Sequence, residues 1–127
     1  MDKGDPLRVL DAARQFGQLV MEMTQALPRR APSRLRGQLS EAAQAISALL
    51  AEGFGRRTKA EKVRYSLMAN GSLEESQDYL RKCINLHLVD REQFFKLWNL
   101  SVAISRMILS LVKHFEEAED EETRPRR

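Results

Sequence analysis

The run DREQFFKLWNLSVAISRMILSLVKHF, from Asp90 to Phe115, decides how this chain folds. Asp90 is a helix-capping residue, Gln93 stands where a capping box needs its second member, and Val89 can staple onto Phe94. Phe94, Leu97, Ser101, Ile104, Ile108, Leu111 and Phe115 then recur in steps of three and four, one stripe of a long helix. A second stripe runs beside it through Phe95, Trp98, Val102, Ser105, Leu109 and Val112, and Leu100 and Met107 add part of a third. Only Glu92, Lys96, Asn99, Arg106, Ser110 and Lys113 form a line suited to water. A surface helix of a monomeric bundle needs an apolar arc of about 100°, and this one has roughly twice that. The excess must face something, and self-association through Phe95, Trp98, Val102, Leu109 and Val112 accounts for it.

Working back along the chain, Thr58-Lys59-Ala60-Glu61 is a capping box that opens a helix over about 59–86. Its apolar line is thin where Asn70, Gly71, Ser72 and Ser76 interrupt Leu67, Leu73 and Leu80. A glycine there costs about 1 kcal/mol relative to alanine, and close approach of a neighbouring helix is the expected compensation. Upstream, Leu35, Leu39, Ala42, Ile46 and Leu49 define a helix over about 34–53 that ends in Gly53-Phe54-Gly55, where a left-handed glycine is expected. Asp5-Pro6 opens the first helix, about 6–27, with Val9, Ala13, Phe16, Val20, Met23 and Leu27 on one face and Pro28 as its stop. Short connections make neighbours antiparallel, so residues 1–115 read as an all-α, up-down-up-down four-helix bundle. Residues 116–127 read as a charged, disordered tail.

The 127 residues suffice for one domain with a real core. No uninterrupted apolar run approaches the ~20 residues of a membrane span, and MDKGDPLRVL lacks the layout of a secretion signal. One cysteine, Cys83, excludes an internal disulfide and suits a reducing, cytoplasmic setting. The chain carries a net +3, but its last twelve residues hold six acids and three arginines, leaving +6 on the body.

Nothing in the pattern makes an active site. His87 and His114 are separated by about 40 Å of helix, no Glu-x-x-His pair occurs, and zinc ligands are too few. Glu52 and Glu75 lie on the order of 20 Å apart, too far to share a proton. Glu52 is better placed to pair with Arg56, Arg57 or Lys59, and Glu75 to bond a neighbouring helix. No cofactor or metal is implied. What remains is charge: Arg29, Arg30, Arg34 and Arg36 at one bundle end, and Arg56, Arg57, Lys59, Lys62 and Arg64 at the other. Such clusters can neutralise phosphates without reading sequence, and symmetric assembly would repeat them. Apart from Phe54, no exposed aromatic is expected near either cluster, and the acidic tail should emerge beside Arg56–Arg64.

Leu49-Leu50-Ala51-Glu52-Gly53-Phe54-Gly55-Arg56-Arg57-Thr58-Lys59-Ala60-Glu61, followed by Ala69-Asn70-Gly71-Ser72-Leu73-Glu74-Glu75, resembles a bacterial family of four-helix bundles encoded in intervening sequences of 23S rRNA genes. The family pattern maps onto Glu52, Gly53, Gly55, Arg56, Gly71, Ser72 and Glu75. Where the family often has Ile-Pro-x-Asn, this chain has Ile46-Ser47-Ala48-Leu49. The resemblance implies a homo-oligomer, with a pentameric ring as the associated form. The fold it implies is similar to that of the accessory variability protein of diversity-generating retroelements, a basic bundle that binds nucleic acid. Together these features point to a non-catalytic RNA- or ribonucleoprotein-binding accessory protein; a protein-interaction scaffold without a nucleic-acid role is the alternative.

Overall fold

The caps named in the sequence close the helices. In the computed structural model, which describes residues 5–118, α1 spans Pro6–Ala26, α2 Ser33–Phe54, α3 Lys59–Asn85 and α4 Arg91–Glu117. Asp5 accepts from the Leu7 and Arg8 amides at 3.0 and 3.4 Å, Thr58 from Glu61 at 3.2 Å and Asp90 from Gln93 at 2.7 Å. Each bond satisfies amides that a helix start leaves without partners. Leu27 is extended because Pro28 follows it, which ends α1. No strand occurs among the described residues. Glu116 and Glu117, expected in a disordered tail, are helical instead because α4 continues through them; residues 119–127, the rest of that expected tail, lie outside the described residues.

Two helix ends differ from expectation. Gly55 has φ −84°, an ordinary right-handed value, so α2 does not end through a left-handed glycine. The left-handed residue is His87, with φ 56°, just after α3. There the Leu88 amide donates to the Cys83 carbonyl at 2.9 Å and the His87 amide to Ile84 at 3.1 Å, a double bond pattern usually built around glycine.

The first stripe of α4 is buried throughout, from Phe94 to Phe115. It meets Phe16 and Val20 of α1, Leu39, Ile46 and Leu50 of α2, and Leu73, Leu80 and Cys83 of α3 in one core. A buried Leu, Ile or Phe contributes about 1.5–3 kcal/mol and a cap about 1, so the core dominates and the caps set its limits. Each helix packs on its sequence neighbours, and α1 also meets α4. Along α3 and α4, Lys62 lies over the Phe115 ring at 5.8 Å and Ser105 donates to Asn70 at 3.0 Å. Further on, Gln77 donates to Ser101 at 2.9 Å and Arg81 stacks on Trp98 at 4.7 Å. Residue numbers rise along one helix as they fall along the other. The thin middle of α3 is therefore a polar layer bonded to α4 by Asn70 and Gln77. Buried Ser66 and Ser76 return their hydroxyls to the Lys62 and Ser72 carbonyls, so they cost little.

Gly71 does not mark a close helix approach: it is exposed, and a Cβ there would meet nothing within 4 Å. The close approach is at Gly53, where an added Cβ would stand 2.6 Å from the Tyr65 Cβ on α3. Gly53→Ala should therefore destabilise the protein by about 1–3 kcal/mol, whereas Gly71→Ala should stabilise it by about 0.5–1 kcal/mol. Urea denaturation of the two variants checks the opposite signs.

Burial among apolar side chains pushes the Cys83 thiol up to about 11 from an ordinary 9.0. Between those values the unfolded chain releases a proton that the folded chain keeps, so this group's contribution falls as pH rises through that window and is constant below it. Urea midpoints measured at pH 8 and near pH 10.5 should drop more for the natural chain than for Cys83→Ala.

Candidate functional site

The two basic clusters sit at opposite ends of the bundle. Arg30 donates to the Leu86 and His87 carbonyls at 3.2 and 2.7 Å, which ties the α1–α2 loop to the α3–α4 turn. Arg36 is half-buried and reaches back to α1, donating to Thr24 at 2.5 Å, Leu27 at 3.4 Å and Pro28 at 3.0 Å. The last carbonyls of a helix lack internal donors, and a cation there also meets the negative end of the helix dipole. Arg30 and Arg36, which the pattern groups with the phosphate-binding candidates, are thus committed to the fold. Arg29 and Arg34 are exposed.

At the other end the α2–α3 turn is organised around Arg56. Its guanidinium donates to Glu52 at 2.7 Å and to the Tyr65 hydroxyl at 2.8 Å, lies 3.6 Å from Glu61, and sits 4.9 Å from the Tyr65 ring centre. Tyr65 does most to raise the pKa of this guanidinium; partial desolvation opposes it, and Glu52 and Glu61 add to the rise. Exposed ion pairs alone contribute little; the stacking and the hydroxyl bond make this a latch. Arg57, Lys59 and Arg64 are exposed, Lys62 is half-buried, and the Arg64 guanidinium lies 5.9 Å from the centre of the same Tyr65 ring. Phe54 is half-buried and packs edge-on against Phe115 at 6.2 Å, so it is not the exposed platform its position suggests. The same contact brings the end of α4, with Glu116 and Glu117, to this corner.

Of the five residues expected on a self-association face, Val112 belongs to the monomer core instead. Its place at the junction of the two stripes turns it inward. Phe95 and Leu109 are 42% and 51% exposed, and Trp98 and Val102 half-buried. On α3, Leu67 and Met68 are 48% and 42% exposed. Leu67 falls between Lys62 and Asn70, and Leu109 between Phe115 and Ser105, so both stand at one level of the α3–α4 face. By length and composition alone, α4 would also suit a membrane span. Here its apolar surplus divides between the core and this outer strip.

The strip ends in an arrangement the sequence does not announce. Phe94 stacks on Trp98 at 5.6 Å and meets Phe95 edge-on at 5.0 Å. Arg81 lies 4.7 Å from the Trp98 ring and Arg91 5.3 Å from the Phe95 ring. The Arg91–Phe95 spacing of four on one helix is visible in the sequence; the Arg81–Trp98 pair needs the packing of α3 on α4.

His87 and His114 lie at opposite ends of the bundle, and no cluster of three or more His, Cys, Asp or Glu able to hold a metal occurs among the described residues. Glu75 is exposed, and the bonds across the polar layer come from Asn70 and Gln77. A shallow open groove between α1 and α4 has Glu22 and Lys96 beside Leu19, Met23 and Leu97.

A family model described as 23S rRNA-intervening sequence protein matches residues 5–110, nearly the whole bundle. The chain belongs to that family. Its fold is similar to the crystal structure of a protein with unknown function from the S23 ribosomal protein family of Bacteroides thetaiotaomicron, with a TM-score of 0.78. That similarity is at 19% identity and covers 83% of this chain and 98% of the other. No curated protein matches the chain. The residues singled out for this 23S rRNA-intervening sequence family then divide by role. Glu52, Gly53 and Arg56 build the α2–α3 latch, with Tyr65 as a member that the motif does not name. Gly55 follows the helix end, Ser72 accepts from Ser76, and Gly71 and Glu75 face outward.

If Arg36 is a structural cap, Arg36→Ala should lose about 2 kcal/mol of stability, and Arg36→Lys should recover little because a single ammonium cannot reach three carbonyls in fork geometry. Thermal unfolding of both variants beside Arg34→Ala, expected to be near neutral, is the check.

Proposed function

We propose that this member of the 23S rRNA-intervening sequence family is a non-catalytic, homo-oligomeric accessory protein that binds RNA without reading its sequence. In this reading the bundle has up-down-up-down order and works in the cytoplasm, and copies associate through Val102 and Leu109 of α4 with Leu67 of α3. A pentameric ring, the form the family resemblance implies, would repeat the basic clusters around an axis. The observation that carries the proposal is the pair of exposed arginines, Arg29 and Arg34, on a body of net +6, with Arg57, Lys59 and Arg64 at the opposite end. The family's name, which ties its genes to 23S rRNA, supports RNA over other polyanions.

Binding of a structured RNA should weaken steeply with salt. Arg29→Gln combined with Arg34→Gln should lower affinity several-fold and flatten the log–log salt slope by about 1.5 per engaged copy. Fluorescence anisotropy over a salt series, with light scattering for the mass, reads both. Salt-independent binding, or an unchanged slope in the double variant, would sink the RNA reading. The exposed Leu67, Met68 and Leu109 favour, as the second reading, a scaffold whose partner is a protein.

A further inference from the structure

The geometry points to a base-stacking platform for single-stranded RNA on the outer α3–α4 surface, formed by Phe95 and Trp98 with Arg91 and Arg81 over their rings. It rests on the RNA-binding reading above and gives that reading a defined surface.

Phe95 keeps 42% of its surface and offers an accessible ring. Half-buried Trp98 has Phe94 stacked on it and Arg81 over its ring, so a base reaches Phe95 directly and Trp98 by stacking on or displacing the Arg81 guanidinium. The anchor is Phe94, buried in the core and in contact with both rings at 5.0 and 5.6 Å. A ring held this way loses little freedom when a base stacks on it. The guanidinium groups of Arg91 and Arg81, 5.3 and 4.7 Å from the ring centres, add planar cations beside the aromatic faces. Alternating rings and cations are what an unpaired strand needs: stacking for bases, charge for the backbone between them. Lys82 is exposed alongside, and Arg29 and Arg34 lie at the same end, because Arg30 binds the α3–α4 turn. Asp78 lies 3.4 Å from Arg81, and Asp90 and Glu92 are nearby in sequence, so the surface is not uniformly positive. The exposed Asp78–Arg81 contact is weak enough for a phosphate to replace.

The same observations separate this end of the strip from a self-contact. Closing a dry interface over Phe95 and Trp98 would strip water from two guanidinium groups, which is costly without well-placed acceptors. Trp98 is about 16 Å along α4 from Leu109 and about 6 Å from Val102, so a second copy seated on Leu109 leaves Phe95 and Trp98 open and meets the edge of the platform only at Val102.

Trp98 is the single tryptophan of the chain, so its emission reports on this surface alone. The full-length protein is titrated with a twelve-nucleotide single-stranded RNA and, separately, with inorganic polyphosphate of equal charge. Stacking predicts that the RNA quenches Trp98 and polyphosphate does not. Phe95→Leu and Arg91→Gln should each weaken RNA binding about fivefold or more with the assembly mass unchanged. Equal quenching by polyphosphate, or RNA binding by anisotropy that leaves Trp98 emission and both variants unaffected, would overturn the platform while leaving charge-driven RNA binding intact. A lower assembly mass in Phe95→Leu would instead give the surface to a second copy. RNA that fails to bind at all would remove the platform together with the reading it rests on.

Discussion

The contact on which the rest depends is Gly53 against Tyr65. Without a side chain at position 53, α2 and α3 approach until the Tyr65 Cβ fills the space that an alanine methyl would need. That approach places the Tyr65 hydroxyl and ring within reach of Arg56, which is held in turn by Glu52 one turn back and by Glu61 at the start of α3. One missing methyl group thus fixes the angle of the α2–α3 corner, and the arginine closes it. The end of α4 then docks beside it through Phe115 on Phe54. Glu52, Gly53 and Arg56 of the family pattern are therefore a device for joining two helices, whereas Gly71 and Glu75 of the same pattern face outward.

At the opposite end the same economy holds with different parts. Arg30 and Arg36 donate to carbonyls that the ends of α3 and α1 leave exposed. Two arginines of a four-residue cluster are thereby spent on structure, and the charge available to a partner is carried by Arg29 and Arg34. A basic run is not one kind of object. A guanidinium that finds backbone acceptors at a helix end becomes a cap, and its neighbour a residue or two away stays in solvent.

The outer surface of α4 is divided in a similar manner. Helical periodicity places Phe95, Trp98, Val102, Leu109 and Val112 on one side, yet their surroundings differ. Val112 turns into the core, Leu109 stands in solvent level with Leu67, and Phe95 and Trp98 carry arginines on their faces. A surplus of apolar residues says that a helix has more than one apolar contact to make. Which part meets the core, a second copy or another ligand depends on neighbours from other helices.

The sequence by itself determined the number of helices, their limits within one or two residues and the core faces of α1 and α4, because caps, prolines and the three-four rhythm act over a few residues. On α2 the core position is Leu50 rather than the expected Leu49, and on α3 the expected Leu67 is 48% exposed. The basic character of both ends and the surplus on α4 were equally local. Tertiary structure alone decided what Gly53 and Gly71 are for, since a glycine's purpose lies in the atom that would strike its missing Cβ, and that atom belongs to another helix or to none. It also decided which arginines are caps, because the acceptors of Arg36 lie 8 to 12 residues away and those of Arg30 lie 56 and 57 away. The pairing of Arg81 with Trp98 is of the same kind: two side chains from different helices, brought face to face only when the core between them closes.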